Sequence, residues 1–272
     1  MGLAELDAEL GALGSVLVAF SGGADSAFLL ARAVSVLGAD RVVAATAVSA
    51  SLPAAELAAA ADFAAGLGVR HEAPRTDEMA RDGYRANAGD RCYFCKAELL
   101  DVLVPLAARL GLAHVATGTN ADDAVAGFRP GLRAAAERGA VTPLRAAGLT
   151  KAQVRAASRD MGLPTWDKPA AACLSSRVAY GLGITPARLA RVERAEAELR
   201  AALTGAGIPV RDLRVRDLGA AGARVEVDAE LVAAVTARPD LLAAVRGFDR
   251  VTVDPRGFRS GSLNEALDPS YR

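Results

Sequence analysis

Six residues, Ser21-Gly22-Gly23-Ala24-Asp25-Ser26, constrain the fold of this chain more than any other stretch. They lie between a short apolar run, Val16-Leu17-Val18-Ala19-Phe20, and a helix-like segment from Ala27 to Val34. A strand, a tight glycine turn and a helix start, in that order, make an anion site. Paired glycines let the backbone approach a phosphate without Cβ interference. The unpaired amides of the helix N-terminus then point at that phosphate, and the helix dipole favours its charge. Ser21, Asp25 and Ser26 add hydroxyls and a carboxylate for capping or for phosphate and magnesium contacts. The competing reading is a plain strand–helix turn with serine and aspartate caps. The pattern is neither the GxxxxGK(S/T) of P-loop NTPases nor the GxGxxG of dinucleotide folds.

The residues around this loop alternate between strand and helix patterns. Strands are expected at Ser15–Phe20, Arg41–Val48, Val69–Glu72 and Ala113–Thr117, with helices between them. Such alternation predicts right-handed βαβ units and a parallel sheet. Ligands of these sheets lie at the carboxyl ends of the strands, near the point where strand order reverses. Ser21, Gly22, Gly23, Asp25 and Ser26 are therefore expected to bind the ligand, with Thr46 at the carboxyl end of the second strand and Gly118, Asn120 and Asp122 after the fourth. His71 and His114, the two histidines, read as strand histidines rather than catalytic bases. The segment 76–89 reads as a loop with short helical turns, and a helix is expected over Ala97–Leu110. Near Tyr180-Gly181-Leu182-Gly183 the texture changes to a long helix, Pro186–Leu203, and short strands. The fold class is thus α/β, a parallel-sheet domain over 1–183 followed by a smaller α+β domain with antiparallel strands over 184–272, for substrate binding or oligomerisation.

Lys plus Arg and Asp plus Glu number 32 each, so the formal charge is zero. A large nucleic-acid footprint needs a basic excess, and its absence argues against a nucleic-acid partner. Only 4% of the residues are aromatic, so the core must come from Leu, Val and Ala. No apolar run approaches the ~20 residues of a membrane span, and Met1 to Leu13 lacks the pattern of a secretory signal. Three cysteines cannot all pair internally, which points to functional thiols in a reducing cytoplasm.

Cys92 and Cys95 form a CxxC, and Cys173 lies far along the chain. Three readings compete with chance occurrence. A redox dithiol would want a thioredoxin pattern around the CxxC, which is missing. Structural zinc usually has four closed ligands, and a fourth cysteine is missing. Three thiolates on a 4Fe–4S cluster would leave one iron open to sulfide or substrate. Cys173 stands among Lys168, Ser175, Ser176 and Arg177, which favour a thiolate, nucleophile and ligand alike. Arg214 and Arg216 alternate on one strand, so both guanidiniums face one side as a carboxylate or phosphate clamp. Glu226 could order a neighbouring arginine or bind a metal, and solvated edge-strand charges are the plainer account of the group.

SGGADS resembles the PP-loop of the ATP pyrophosphatases, within the adenine nucleotide alpha hydrolase-like fold. That resemblance implies cleavage of ATP between its α- and β-phosphates and adenylation of an acceptor. DRCYFCKAEL, GTNADD, FRPG, KPAAACLSSR and GFRSGSLNE follow in order to Glu265. The set resembles the ATP-dependent pyridinium-3,5-biscarboxylic acid mononucleotide sulfur transferases, the LarE family of nickel-pincer nucleotide biosynthesis. The resemblance implies ATP and Mg2+ as cofactors, a small nucleotide substrate and an oligomer. One branch of the family sacrifices a cysteine, and the other carries three cysteines and a 4Fe–4S cluster. Cys92, Cys95 and Cys173 match the second branch as metal ligands and, with Asp25, as catalytic residues. A sacrificial Cys173 is the mechanistic alternative, and sulfide or a sulfur-donor protein the candidate supply. Ser176, Arg177, Arg214, Arg216, Glu196 and Glu226 are implied as substrate-binding residues. A PP-loop tRNA thiolase, a nitrogen-transferring ligase and a non-enzymatic nucleotide sensor are the alternative functions.

Overall fold

In this computed structural model, residues 2–125, 129–169 and 172–267 are described. Phe128, Ala170 and Ala171, which belong to the motifs above, lie outside them. The chain forms two units, one of Met1–Arg81 with Asp90–Ala171, the other of Asp82–Gly89 with Ala172–Arg272.

The first unit opens with α1 (Leu3–Leu13), β1 (Val16–Ala19), α2 (Ala24–Leu37), β2 (Val42–Ala45), α3 (Ala54–Gly66) and β3 (Arg70–Glu72). Helix α4 (Asp82–Ala86) belongs to the second unit. The first unit resumes with α5 (Arg91–Arg109), β4 (His114–Thr117), α6 (Ala121–Val125), α7 (Pro130–Glu137), α8 (Pro143–Ala146) and α9 (Lys151–Asp160). Its four strands are all parallel, in the order β3-β2-β1-β4. Apolar runs such as Val16-Leu17-Val18 suit this sheet because both of its faces are covered. Val16 and Val18 pack with Leu6, Leu10, Phe28 and Leu30. Leu17, pointing the other way, packs with Leu100 and Leu103 of α5. The chain leaves β1 toward β2 and β3, then returns to place β4 on the other side of β1. The reversal of strand order therefore falls between β1 and β4, whose carboxyl ends carry the glycine loop and Gly118.

The second unit continues with α10 (Pro186–Gly205), β5 (Leu213–Asp217), β6 (Ala223–Val227), α11 (Val232–Thr236), α12 (Pro239–Leu242) and β7 (Val251–Val253). Its sheet has the order β5-β6-β7. Strands β5 and β6 are antiparallel as expected, but β7 runs parallel to β6. The reason is the connection: residues 228–250 carry α11 and α12, long enough for a crossover that brings the chain back in the same direction. One face of the sheet, with Leu213, Val215, Val225 and Val227, packs on Leu199 and Leu203 of α10. Arg214, Arg216, Arg224 and Glu226 share the other face.

This unit also begins earlier than the change of texture near residue 184, and it takes in 82–89. Asn87 explains why. It holds a left-handed conformation, φ 53°, and its Nδ2 donates to the carbonyls of Val178, Ala179 and Leu182 at 3.4, 2.8 and 2.9 Å. Its own carbonyl accepts from Gly181 N at 3.1 Å, and Tyr84 hydrogen-bonds Ser175 through their hydroxyls. Replacing Asn87 by Ala strands those carbonyls and strains the backbone, an expected loss of about 2–3 kcal/mol. Urea denaturation of the two proteins measures it. Among the described residues, no helix is long and apolar enough to cross a membrane.

Candidate active site

The glycine loop is built from its own side chains. Gly22 takes φ +71°, and Gly23 caps α2, which starts at Ala24. Ser26 Oγ donates to Gly23 O at 3.1 Å and lies 3.1 Å from Ser21 Oγ, so the turn is closed across its mouth. Ser21 N also points at Ser26 Oγ at 3.3 Å. Gly118 is required by close approach. A Cβ there would stand 2.9 Å from Ser26 N and 3.1 Å from the Asp25 carbonyl carbon. The β4 loop thus lies directly against the first turn of α2.

Asp25 is the chemically exposed point of this arrangement. Its Oδ1 is buried with no hydrogen-bond partner among the described residues. Burial raises its pKa; Lys151, with Nζ 4.0 Å from Oδ2, pulls it down, and Asp123 pushes it up. Asn120, buried in the β4 loop, adds a hydrogen bond to the carboxylate. An orphaned carboxylate oxygen next to a second acid suits Mg2+, which is held by one or two carboxylates and substrate phosphates.

A cavity of about 390 Å³ opens over the loop, within the size range of small-ligand sites. Ser21, Gly23, Asp25, Ser26, Thr46 and Gly118, among the residues expected to bind a ligand, line it. Asp122 does something else: its Oδ2 accepts from Lys151 N at 2.8 Å and fixes the start of α9. Asp123, its neighbour, lines the cavity instead. Thr46 Oγ1 donates to Phe20 O at 2.8 Å and so accepts from His71 Nε2 at 2.9 Å. That bond needs the proton on Nε2, and burial lowers the His71 pKa against the pull of Glu72. Both facts make His71 a neutral support for Thr46. A base with a depressed folded-state pKa contributes stability above its unfolded value, about 6.5, that is lost as pH falls below it. We expect thermal stability to decline with acidification from that point, and His71→Gln to flatten the slope.

The cations of the cavity are what the sequence reading missed. Lys96, Lys151, Arg155 and Lys168 all line it, a local positive site hidden inside a zero net charge. Lys168 Nζ donates to Gly22 O at 3.0 Å and to Glu56 Oε2 at 2.7 Å, which ties the loop down. The i, i+4 spacing of Lys151 and Arg155 after the Thr150 cap was the available signal.

The CxxC lies on a helix, not ahead of one as expected. Helix α5 starts at Arg91, with Asp90 at its N-cap, so Cys92 and Cys95 share one face of the first turn. Cys92 is exposed, Cys95 and Cys173 are half-buried, and none of the three is in a disulfide. Lys96 follows directly; burial pushes its ammonium down while Cys95, Cys92 and Asp123 hold it up. Within each unit, the described residues form no group of three or more His, Cys, Asp or Glu able to hold a metal ion.

Cys173, in the second unit, precedes a 3-10 turn, Leu174–Arg177. Its carbonyl accepts from Ser176 Oγ at 2.8 Å and Arg177 Nη1 at 3.1 Å. Arg177 also forms a two-point pair with Glu196, at 2.9 and 3.2 Å. Arg216 donates to the fully buried Glu226 at 3.0 and 2.7 Å and to Ser176 O at 3.0 Å. Arg224 shares Glu226 at 3.2 Å. Arg214 lies over the Phe258 ring, 5.1 Å from its centroid. Burial, then Arg177, lower its pKa to about 10. Arg224 also has Asp254 at 3.5 Å, and four guanidiniums against the carboxylates of Glu196, Glu226 and Asp254 still leave positive charge around a buried sheet face, which suits a phosphate or carboxylate. All six residues expected to bind substrate, Ser176, Arg177, Glu196, Arg214, Arg216 and Glu226, fall in this unit.

No protein-family model matches the chain. It is 44% identical over 262 residues to an uncharacterized protein of Synechocystis sp., covering 94% of each. It is 26% identical over 176 residues to an uncharacterized protein of Methanocaldococcus jannaschii, 64% of this chain and 66% of that one. It is 36% identical over 268 residues to the pyridinium-3,5-bisthiocarboxylic acid mononucleotide synthase of Lactiplantibacillus plantarum, covering 97% of this chain and 94% of the relative. A match of that extent spans both units, with the glycine loop, the CxxC and the Cys173 turn inside them, and the chain belongs to the pyridinium-3,5-bisthiocarboxylic acid mononucleotide synthase family.

Proposed function

We propose that this protein is an ATP-dependent sulfur transferase that turns the carboxylates of pyridinium-3,5-biscarboxylic acid mononucleotide into thiocarboxylates. The observation that carries the reading is the cavity at the β1/β4 reversal, with its orphaned Asp25 oxygen and four cations, in a chain of this family. A substrate carboxylate oxygen attacks the α-phosphorus of ATP, and the α–β bridging bond breaks to release pyrophosphate. The glycine-loop amides and the lining cations neutralise the charge that builds on the phosphates. A sulfide-level sulfur then attacks the acyl adenylate, and AMP leaves with the electron pair. Asp25 would hold Mg2+, which draws charge from the phosphates. The second unit would grip the nucleotide phosphate or its free carboxylate with Arg214 and Arg216, while Glu196 and Glu226 keep the arginine forks aligned.

Cys92, Cys95 and Cys173 would ligate a 4Fe–4S cluster, and their donor chemistry suits one: three thiols outside any disulfide, two on one helical face. Held by three thiolates, such a cluster supplies an open iron site able to carry sulfide. The second reading is a sacrificial Cys173, whose half-buried thiol is in no disulfide and stands just before the Leu174–Arg177 turn.

The test is incubation with ATP, Mg2+, sulfide and the pyridinium dicarboxylate nucleotide, followed by mass spectrometry. The thiocarboxylate product and stoichiometric AMP are expected. Anaerobic iron and sulfide reconstitution, with absorbance near ~400 nm lost in each cysteine variant, supports the cluster. An intact protein lighter by one equivalent of hydrogen sulfide at Cys173 supports the sacrificial route instead. Pyrophosphate release stimulated by tRNA and not by the pyridinium nucleotide overturns the reading.

A further inference from the structure

The CxxC turn is helical against its own composition. Cys92-Tyr93-Phe94-Cys95 are four residues of weak helix propensity in succession. They also fill the first turn of α5, where a helix leaves amides unpaired and frays. Packing from outside the turn must hold it, and α7 lies against it. Pro130 at the first helical position starts α7. A Cβ on Gly131 would stand 3.5 Å from Cys92 O and 3.8 Å from Lys96 Cβ, so the two helices touch at the CxxC itself. Further along, Ala135 packs with Leu100 and Leu103 of α5. Tyr93, between the cysteines, is clamped by α7. Its hydroxyl donates to Glu137 Oε2, and the Arg133 guanidinium lies 4.5 Å from its ring centroid. Arg133 and Glu137 are themselves an i, i+4 ion pair at 3.7 Å. Arg138 pairs with Glu137 at 3.6 Å and donates to Asp101 of α5 at 2.7 Å. All of these residues lie in the first unit.

We infer that α7 braces the CxxC turn, and that Tyr93, gripped by Arg133 and Glu137, is the positioning residue that keeps Cys92 and Cys95 at the spacing of a dithiol site. The inference rests on the reading in which these two cysteines act as a pair. Side chains three apart on a helix are neighbours, about 5–6 Å between Cβ atoms. A frayed turn has to be ordered each time a ligand bridges the two sulfurs, and that ordering costs affinity. Tyr93 touches no reacting atom and acts through the backbone of the turn.

Phenylarsine oxide tests this, because its arsenic forms two As–S bonds and releases its oxygen as water with the two thiol protons. In the Cys173→Ser protein, without nucleotide or iron, titration should give one arsenic per chain by intact mass. Tyr93→Ala should weaken that binding about 10-fold and speed amide exchange over 93–97. Tyr93→Phe keeps the ring under Arg133 and should lose less than about 3-fold. Arg81→Gln removes contacts to Glu98 and Asp101, further along the same helix, and should change neither readout. Unchanged arsenic binding in Tyr93→Ala, an equal loss in Arg81→Gln, or no arsenic bound before any change at Tyr93 overturns the inference. If Tyr93→Ala melts early, Arg133→Gln decides, since that side chain is 66% exposed: affinity should fall about 3-fold, and an unchanged value overturns the brace. No ATP or pyridinium nucleotide takes part, so the brace and the sulfur-transfer reading can fail separately: a protein that binds arsenic in this way and forms no thiocarboxylate keeps the first and loses the second.

Discussion

Asp25→Asn will lower substrate-dependent pyrophosphate release by about 10²–10³-fold, the several kcal/mol that a phosphate-bound metal supplies. The substitution preserves shape and removes the charge that a divalent cation needs. Its effect on the unliganded protein runs the other way. Burial raises the Asp25 pKa, so the folded state carries an ionised carboxylate at a cost. That penalty holds above the folded-state pKa and is relieved as pH falls through it. The Asn variant should therefore melt no lower than the native protein without ligand. It should lose most of the melting-temperature rise that Mg2+ and ATP produce. A variant that is both inactive and destabilised would make Asp25 a structural cap and not a metal site.

The second large effect lies in the other unit. Glu226 is fully buried and accepts from Arg216 at 2.7 Å, from Arg224 at 3.2 Å and from Ser262 Oγ at 2.7 Å. Replacing it with Leu leaves the Arg216 guanidinium without a carboxylate beside Arg214, whose pKa is already pushed down to about 10, while Arg224 keeps Asp254 at 3.5 Å. Breaking a buried pair on one side costs about 3–5 kcal/mol. Urea denaturation should show a loss of that size. The paired change Glu226→Leu with Arg216→Met should recover part of it, because the stranded charge is then removed as well. A loss under about 1 kcal/mol would mean that water reaches this cluster.

Much of this could be read from the sequence, and the failures have physical causes. The strand–glycine–helix unit is local, so the sequence displays it directly. The parallel sheet follows from apolar runs separated by helical periods. The α9 cations are not visible in the sequence as site residues, because Lys151 and Arg155 look like an ordinary helix surface until α9 is packed on α2. Asp122 and Asp123 are neighbours, and only the fold decides which one faces the cavity and which one caps α9. The CxxC helix begins earlier than its apolar periodicity, since Arg91 to Lys96 form a first turn that is polar on one side. The attachment of 82–89 to the second unit rests on Asn87 partners 91 to 95 positions away. No local pattern encodes such a contact. The parallel β7 follows from the length of the β6–β7 connection, whose pattern displays two helices but not the direction in which they return the chain.

The central claim is that the β1/β4 loops split ATP between its α- and β-phosphates to activate a carboxylate. Exchange of labelled pyrophosphate into ATP tests it most directly, because adenylation is reversible while the acyl adenylate stays bound. With sulfide omitted, label should enter ATP only when Mg2+ and the pyridinium dicarboxylate nucleotide are both present, and Asp25→Asn should abolish the exchange. Formation of ADP and inorganic phosphate, with no label entering ATP, would contradict the account.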